Sequence, residues 1–80
     1  MEPIQHTVLL FGQLAEKCGS KEIVVAADQS AAAVIEAIHE AYPVLADIPF
    51  RVAVNRKLVD IQDEIPQGAE IALLPPFSGG

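Results

Sequence analysis

The sequence predicts an α+β domain, with one long amphipathic helix packed on a single face of a mixed sheet. Three observations carry this reading. From Ala31 to Tyr42, Val34, Ile35, Ile38 and Tyr42 fall on one helical face, with Glu36, His39 and Glu40 on the other. Short runs of strand character stand on both sides of that stretch, two before it and three after it. The last of them, Ile71-Ala72-Leu73-Leu74, is apolar throughout, the pattern of a strand covered on both faces at the centre of a sheet. A single helix among strands of this order gives the α+β class.

Each element has its own local reason. Thr7-Val8-Leu9-Leu10-Phe11 is a short apolar run with a β-branched start and reads as the first strand. Phe11, Leu14, Ala15 and Cys18 then fall at helical spacing, and Gly19 follows as a stop, so one short helix or turn is expected. Ile23, Val24 and Val25 carry a second strand from Glu22 to Ala26. Asp28 or Ser30 can cap the long helix, each offering a short side-chain acceptor to free backbone N–H groups. Pro43 disfavours helical backbone at Tyr42 and closes it, giving a helix of about 18 Å. Arg51 to Asn55 and Leu58-Val59 read as a strand and a short return, joined by a tight turn at Asn55-Arg56-Lys57. Asp60 to Gln67 reads as a loop with Ile61 and Ile65 as inward anchors, and Gly68 marks a turn. Pro75 cannot donate to a sheet ladder and ends the last strand.

Composition narrows the function. The chain has 80 residues, 51% hydrophobic and 20% charged, enough for a packed core and outside the disordered range. One domain spanning 1–80 is expected. The lone Cys18 excludes an internal disulfide and a cysteine-based zinc cage. Eleven acids against five bases give a net charge of −6, and the five bases are too few for a phosphate-binding stripe. That argues against nucleic acid and an anionic membrane. The acidity fits docking onto basic protein surfaces, and equally fits a charge that only maintains solubility. With neither a basic–apolar leader nor a long apolar run, a soluble, cytoplasmic protein is expected.

No active site is assembled within the chain. Gly12, Gly19 and Gly68 are isolated, so no phosphate cradle is present. Asp60, Asp63 and Glu64 offer too few oxygen ligands for a cation and read as a solvated loop. His6 and His39 lack an i, i+4 partner that would hold a metal, and both read as surface residues; no metal site is expected. Cys18 reads as a packed thiol, with no Cys–His arrangement around it. What stands out is the stop at Pro75-Pro76-Phe77-Ser78-Gly79-Gly80. Two terminal residues without Cβ can enter a slot too narrow for any side chain. From Leu74, six residues at about 3.3 Å each reach roughly 20 Å, and two prolines favour extended backbone. A carboxylate is a poor electrophile, so Gly80 must be activated before it reacts, most simply as an acyl-adenylate made in a partner's ATP site.

Strand, Pro-Pro, apolar residue, small hydroxyl residue and Gly-Gly together resemble the small subunits of molybdopterin synthases, sulfur-carrier proteins of the β-grasp, ubiquitin-like fold. The resemblance spans nearly the whole chain. Leu10-Phe11-Gly12 stands at the end of the first strand, and Pro43 to Asp47 follows the helix as Pro-x-Leu-Ala-Asp. Val52-Ala53-Val54-Asn55 is followed by Leu58-Val59, and Gly68-Ala69-Glu70-Ile71 leads into the terminal motif. The family commonly has Gly-Asp-Glu where this chain has Gly68-Ala69-Glu70, and a smaller Val or Ile where Phe77 stands.

The resemblance implies a mixed sheet of four to five strands on one main helix, with residues 75–80 as a protruding tail, disordered over Ser78–Gly80. It implies no catalysis by the chain alone and no cofactor bound to it, ATP being used by an activating partner. An E1-like adenylyltransferase would adenylate Gly80 and a sulfur donor protein would convert it to a thiocarboxylate. The molybdopterin synthase large subunit, in a heterotetramer, would receive the tail Pro75, Pro76, Phe77, Ser78 and Gly79. The sulfur would pass to cyclic pyranopterin monophosphate on the way to the molybdenum cofactor. An apolar docking face that includes Phe77 and residues of the sheet is expected, with Phe77 folded back on its own core as the alternative. Three other functions fit parts of the pattern: the sulfur carrier for the thiazole of thiamine, a ubiquitin-like modifier joined to target lysines through Gly80, and an interaction module with an inert tail. Ubiquitin differs in carrying basic residues along its tail, whereas no base follows Lys57 here.

Overall fold

The computed structural model describes residues 4–75. Strand β1 (Ile4–Leu10) leads into a short helix α1 (Gln13–Cys18), strand β2 (Glu22–Ala27) and the long helix α2 (Ala31–Ala41). A 3₁₀ turn (Pro43–Asp47), strands β3 (Arg51–Val54) and β4 (Lys57–Leu58), and strand β5 (Ile71–Leu74) complete the described chain. The sheet order is β2-β1-β5-β3-β4. β5 runs parallel to β1 and antiparallel to β3, while β1–β2 and β3–β4 are antiparallel hairpin pairs. The α+β expectation therefore holds, and the all-apolar β5 is central, as its pattern requires.

Alternation along the strands sorts the two faces of the sheet. Val8 and Leu10 of β1, Ile23, Val25 and Ala27 of β2, Val52 and Val54 of β3, and Ile71 and Leu73 of β5 face α2 and are buried. Val34 and Ile38 of α2, Leu14 of α1, and Leu45 of the 3₁₀ turn close the core from the other side, each fully buried. Ser30 is the helix cap: its Oγ accepts from the Ala33 N–H at 3.1 Å, while Asp28 is exposed. Pro43 sits where α2 ends, with Tyr42 as the C-cap.

Four expectations need correction. His6 is buried, not a surface residue. The strand begins at Ile4, so His6 shares the core-facing parity of Val8 and Leu10, and its Nε2 lies 3.2 Å from the Ala27 carbonyl. Ile61 is no anchor, being 63% exposed. Its loop is held instead by backbone bonds: Ala31 N–H donates to Asp63 O, Ala32 N–H to Ile61 O, and Ile65 N–H to Gln29 O. The first two satisfy free donors at the start of α2, the third ties the loop to Gln29, and Ile65 is the loop's buried anchor. Phe11 does not join a helical stripe; it precedes α1 and is 45% exposed. His39 is half-buried, its ring tilted against Phe50 with centroids 5.7 Å apart. Among the described residues, no group of three or more His, Cys, Asp and Glu side chains could hold a metal ion. Nor is any helix there long and apolar enough to cross a membrane.

Candidate functional site: the root of the tail and the outer face of the sheet

Pro75 follows the central strand of the sheet. β1 and β5 pair in register as Val8–Ile71, Leu9–Ala72 and Leu10–Leu73, so continuing one step sets Phe11 beside Leu74 and another sets Gly12 beside Pro75. Both strands end there for different reasons. Gly12 takes φ +60° and ψ −137°, a conformation L side chains rarely adopt, and turns the chain into α1. Its carbonyl accepts from the Ala15 and Glu16 N–H groups, which starts that helix. Pro75 has no N–H with which to extend β5. The two residues touch: a Cβ placed on Gly12 would stand 3.3 Å from Pro75 Cγ. Bare backbone at Gly12 is thus the seat against which the half-buried Pro75 rests. Of the six tail residues named from the sequence, Pro75 is placed at this root. Pro76, Phe77, Ser78, Gly79 and Gly80 lie outside the described residues.

Beside the root, the sheet face turned away from α2 is apolar. Leu9 of β1, Ala72 and Leu74 of β5, and Ala53 of β3 point outward by alternation, and Leu58 of β4 stands opposite Ala53. Phe11 and Leu58, 45% and 53% exposed, flank a depression of about 330 Å³ floored by Ala53, Ala72 and Leu74. Two alanines in the floor and large residues at the rim make a shallow recess that a partner's apolar side chain can fill.

The charged rim is built by one turn. Asn55 and Arg56 both have positive φ, 52° and 71°, the two-residue hairpin turn whose twist matches the flanking strands. Asn55 is held by its N–H donating to Glu70 O at 2.8 Å and its Oδ1 accepting from Glu70 N–H at 3.1 Å. Arg56 Nε lies 3.6 Å from Glu70 Oε1, with the Arg56 side chain almost fully exposed, so the pair contributes little to stability. It does set one cation and one anion beside the recess.

This arrangement supplies position and surface, and its described residues hold no nucleophile–base pair. Sequence reasoning found the tail root but missed Phe11 and Leu58. The signal was available in strand parity: with Val8 and Leu10 turned inward, Leu9 and Phe11 must turn outward.

Residues 8–80 match the model of the ThiS family. A comparison with curated proteins found no match. Among solved structures, SAMP1 from Haloferax volcanii is 27% identical with a TM-score of 0.82, the match covering 95% of this chain and 99% of that one. The small archaeal modifier protein 1 (SAMP1) from Methanosarcina acetivorans is 21% identical with a TM-score of 0.81, covering 98% of each chain. A chain of the protein–protein complex of subunits 1 and 2 of molybdopterin-converting factor from Helicobacter pylori is 23% identical with a TM-score of 0.66, covering 96% of this chain and all of that one. These likenesses give the β-grasp, ubiquitin-like fold, and the family match extends over nearly all of the sequence, the terminal Gly79-Gly80 included: the chain belongs to the ThiS family.

Proposed function

We propose that the protein is the sulfur-carrying small subunit of a molybdopterin synthase, acting as one β-grasp domain over residues 1–80 with 75–80 as its reactive tail. The observation that carries the proposal is the central position of β5, which releases Pro75 beside an apolar recess on the open sheet face. Family membership and the likeness to a chain of the molybdopterin-converting factor complex support it. In this reading an E1-like partner adenylates the Gly80 carboxylate with ATP, releasing pyrophosphate, and sulfide-level sulfur from a donor protein displaces AMP to leave a thiocarboxylate. The large subunit then covers the recess around Phe11 and Leu58 and takes up Pro76, Phe77, Ser78, Gly79 and Gly80. Sulfur, larger and more polarizable than oxygen, attacks cyclic pyranopterin monophosphate where a carboxylate would not. Docking turns that attack from a bimolecular encounter into a positioned one. Acid–base groups belong to the large subunit, and this chain binds no cofactor of its own. The test is reconstitution with a molybdopterin synthase large subunit: thiocarboxylated chain is expected to convert the precursor, and failure with every such large subunit tried would remove the pathway assignment.

The likeness to SAMP1, carried at 27% identity, favours a second reading: a ubiquitin-like modifier joined through Gly80 to lysines of other proteins. Both readings use the same activated carboxyl end. Covalent ladders on cellular proteins, lost on deleting Gly80, support the modifier; their absence together with precursor conversion supports the carrier.

A further inference from the structure

Strand β2 forms one edge of the sheet, on the opposite side of β1 from β5. Which backbone groups it presents follows from the register. Glu22 pairs with Leu9, so Lys21 stands opposite Leu10, and the Leu10 N–H donates to the Lys21 carbonyl at 2.9 Å. In an antiparallel ladder the residues that exchange bonds alternate with those that do not. Lys21, Ile23 and Val25 therefore turn their backbone groups toward β1, and Glu22, Val24 and Ala26 turn theirs outward. At Glu22 the outward groups are already taken: Ser20 Oγ donates to the Glu22 carbonyl at 2.7 Å and accepts from the Glu22 N–H at 3.3 Å. A serine hydroxyl closes the first step of the edge. Val24 and Ala26 keep two N–H and two C=O groups with no partner among the described residues.

Beside these groups runs a groove of about 370 Å³ between β2 and α2, walled by Ala26, Ala37 and Ala41, with Glu40 at its margin. Val24, 51% exposed, sits at its lip. Ala37 and Ala41 of α2 leave room for a side chain entering from an added strand, while Ala26 borders the groove through its backbone. Glu36 lies one turn before Glu40 on the same helix face, and neither has an ion-pair partner among the described residues. Proteins usually guard an edge of this length with a lysine, a proline or a bulge. β2 has none of these within Glu22–Ala27.

We infer that the β2 edge takes up an extended basic–apolar segment of a partner protein as a sixth strand, paired to Val24 and Ala26, with a Lys or Arg stem crossing Ala37 and Ala41 to reach Glu40. Main-chain bonds supply the affinity, and the acidic margin selects the sign of the ligand's charge. The outer sheet face and the Pro75 root lie across β1 from this edge, so both surfaces can be engaged together. The inference stands on the sheet edge and is independent of what Gly80 does.

The probe is acetyl-Val-Arg-Val-Arg-Val-amide, titrated into the full-length protein and followed by amide chemical shifts and amide exchange. Shifts are expected at Val24, Ala26, Ala37 and Ala41, with slowed exchange at the Val24 and Ala26 amides and no movement at Phe11 or Leu58. Glu40→Gln is expected to weaken binding about threefold at low salt. Ser20→Ala, which frees the Glu22 pair, should tighten it about fivefold. Val24→Pro removes one outward donor and should abolish binding while leaving the β1 ladder intact. Unchanged exchange at Val24 and Ala26 would overturn the inference, as would equal binding of acetyl-Pro-Arg-Pro-Arg-Pro-amide, which carries the same charge but cannot pair. Self-association through β2 in sedimentation of the peptide-free protein would also overturn it, assigning the edge to a second copy.

Discussion

Replacing Gly12 by alanine tests the root of the tail. Gly12 combines φ +60° and ψ −137° with a would-be Cβ only 3.3 Å from Pro75 Cγ. Holding an L residue in so sparsely populated a conformation costs about 1–3 kcal/mol. Against this, alanine narrows the unfolded ensemble and returns about 0.4–1 kcal/mol. The 3.3 Å contact adds to the loss, because either Pro75 or the turn must move by a few tenths of an ångström. The net expectation is a destabilisation of roughly 1–2 kcal/mol, or a fall in Tm of about 5–15 °C for a domain of this size. Urea titration at constant m-value measures it, and the double variant with Pro75→Ala separates the two causes. Removing Pro75 Cγ relieves the contact but not the backbone strain, so a coupling of about 0.5 kcal/mol between the two sites is expected. A Gly12→Ala protein as stable as the parent would refute the reasoning. Destabilisation with no coupling would leave the strain and remove the seat.

Other expectations follow from the packing. Ile65→Ala should cost about 2–5 kcal/mol, because Ile65 is fully buried, while Ile61→Ala should stay within about 0.5 kcal/mol; chemical denaturation of the two variants checks the assignment of the loop's anchor. Ser30→Ala should cost about 1 kcal/mol by removing the acceptor of the Ala33 N–H, read as a lower urea midpoint. Phe11→Ser and Leu58→Ser should leave the unfolding midpoint almost unchanged while weakening calorimetric binding to a large subunit at least tenfold; tight binding by both would take the recess out of the interface. Calorimetry of Phe77→Ala against the same partner places or removes Phe77 there.

Much of this architecture was legible in the residues because hydrophobic period and punctuation agreed. The 3.6-residue period of Val34, Ile38 and Tyr42, bounded by Ser30 and Pro43, left little freedom for α2. The unbroken apolar run Ile71–Leu74 marked a central strand, although only Ile71 and Leu73 are buried and Ala72 and Leu74 face the open side of the sheet. What was misread turned on tertiary context. A histidine preceding an apolar run looks exposed until the strand is seen to start at Ile4, when parity carries His6 inward. Ile61 and Ile65 are both four-carbon aliphatic side chains in one polar loop, and only the bonds from that loop to the start of α2 decide which of them is buried. The 3₁₀ turn at Pro43–Asp47 had a proline to start it, yet its buried Leu45 has no periodic neighbours to announce it. As for the site, the tail residues could be picked out by chemistry alone, since Gly-Gly after Pro-Pro needs no folded context to be read. The recess could not, because Phe11 just past β1, Leu58 of β4 and Ala72 of β5 meet only when β5 inserts between β1 and β3.

If Gly80 carries the reacting atom, as proposed, intact and peptide-level mass spectrometry of the chain recovered with its activating enzyme and a sulfur source will find it. The expected species has one oxygen of the terminal carboxylate replaced by sulfur, located to the peptide ending in Gly80 and absent from a variant lacking that residue. A terminus that stays an unmodified carboxylate under activating conditions, in a chain whose Gly80 deletion still supports cofactor synthesis, would contradict it.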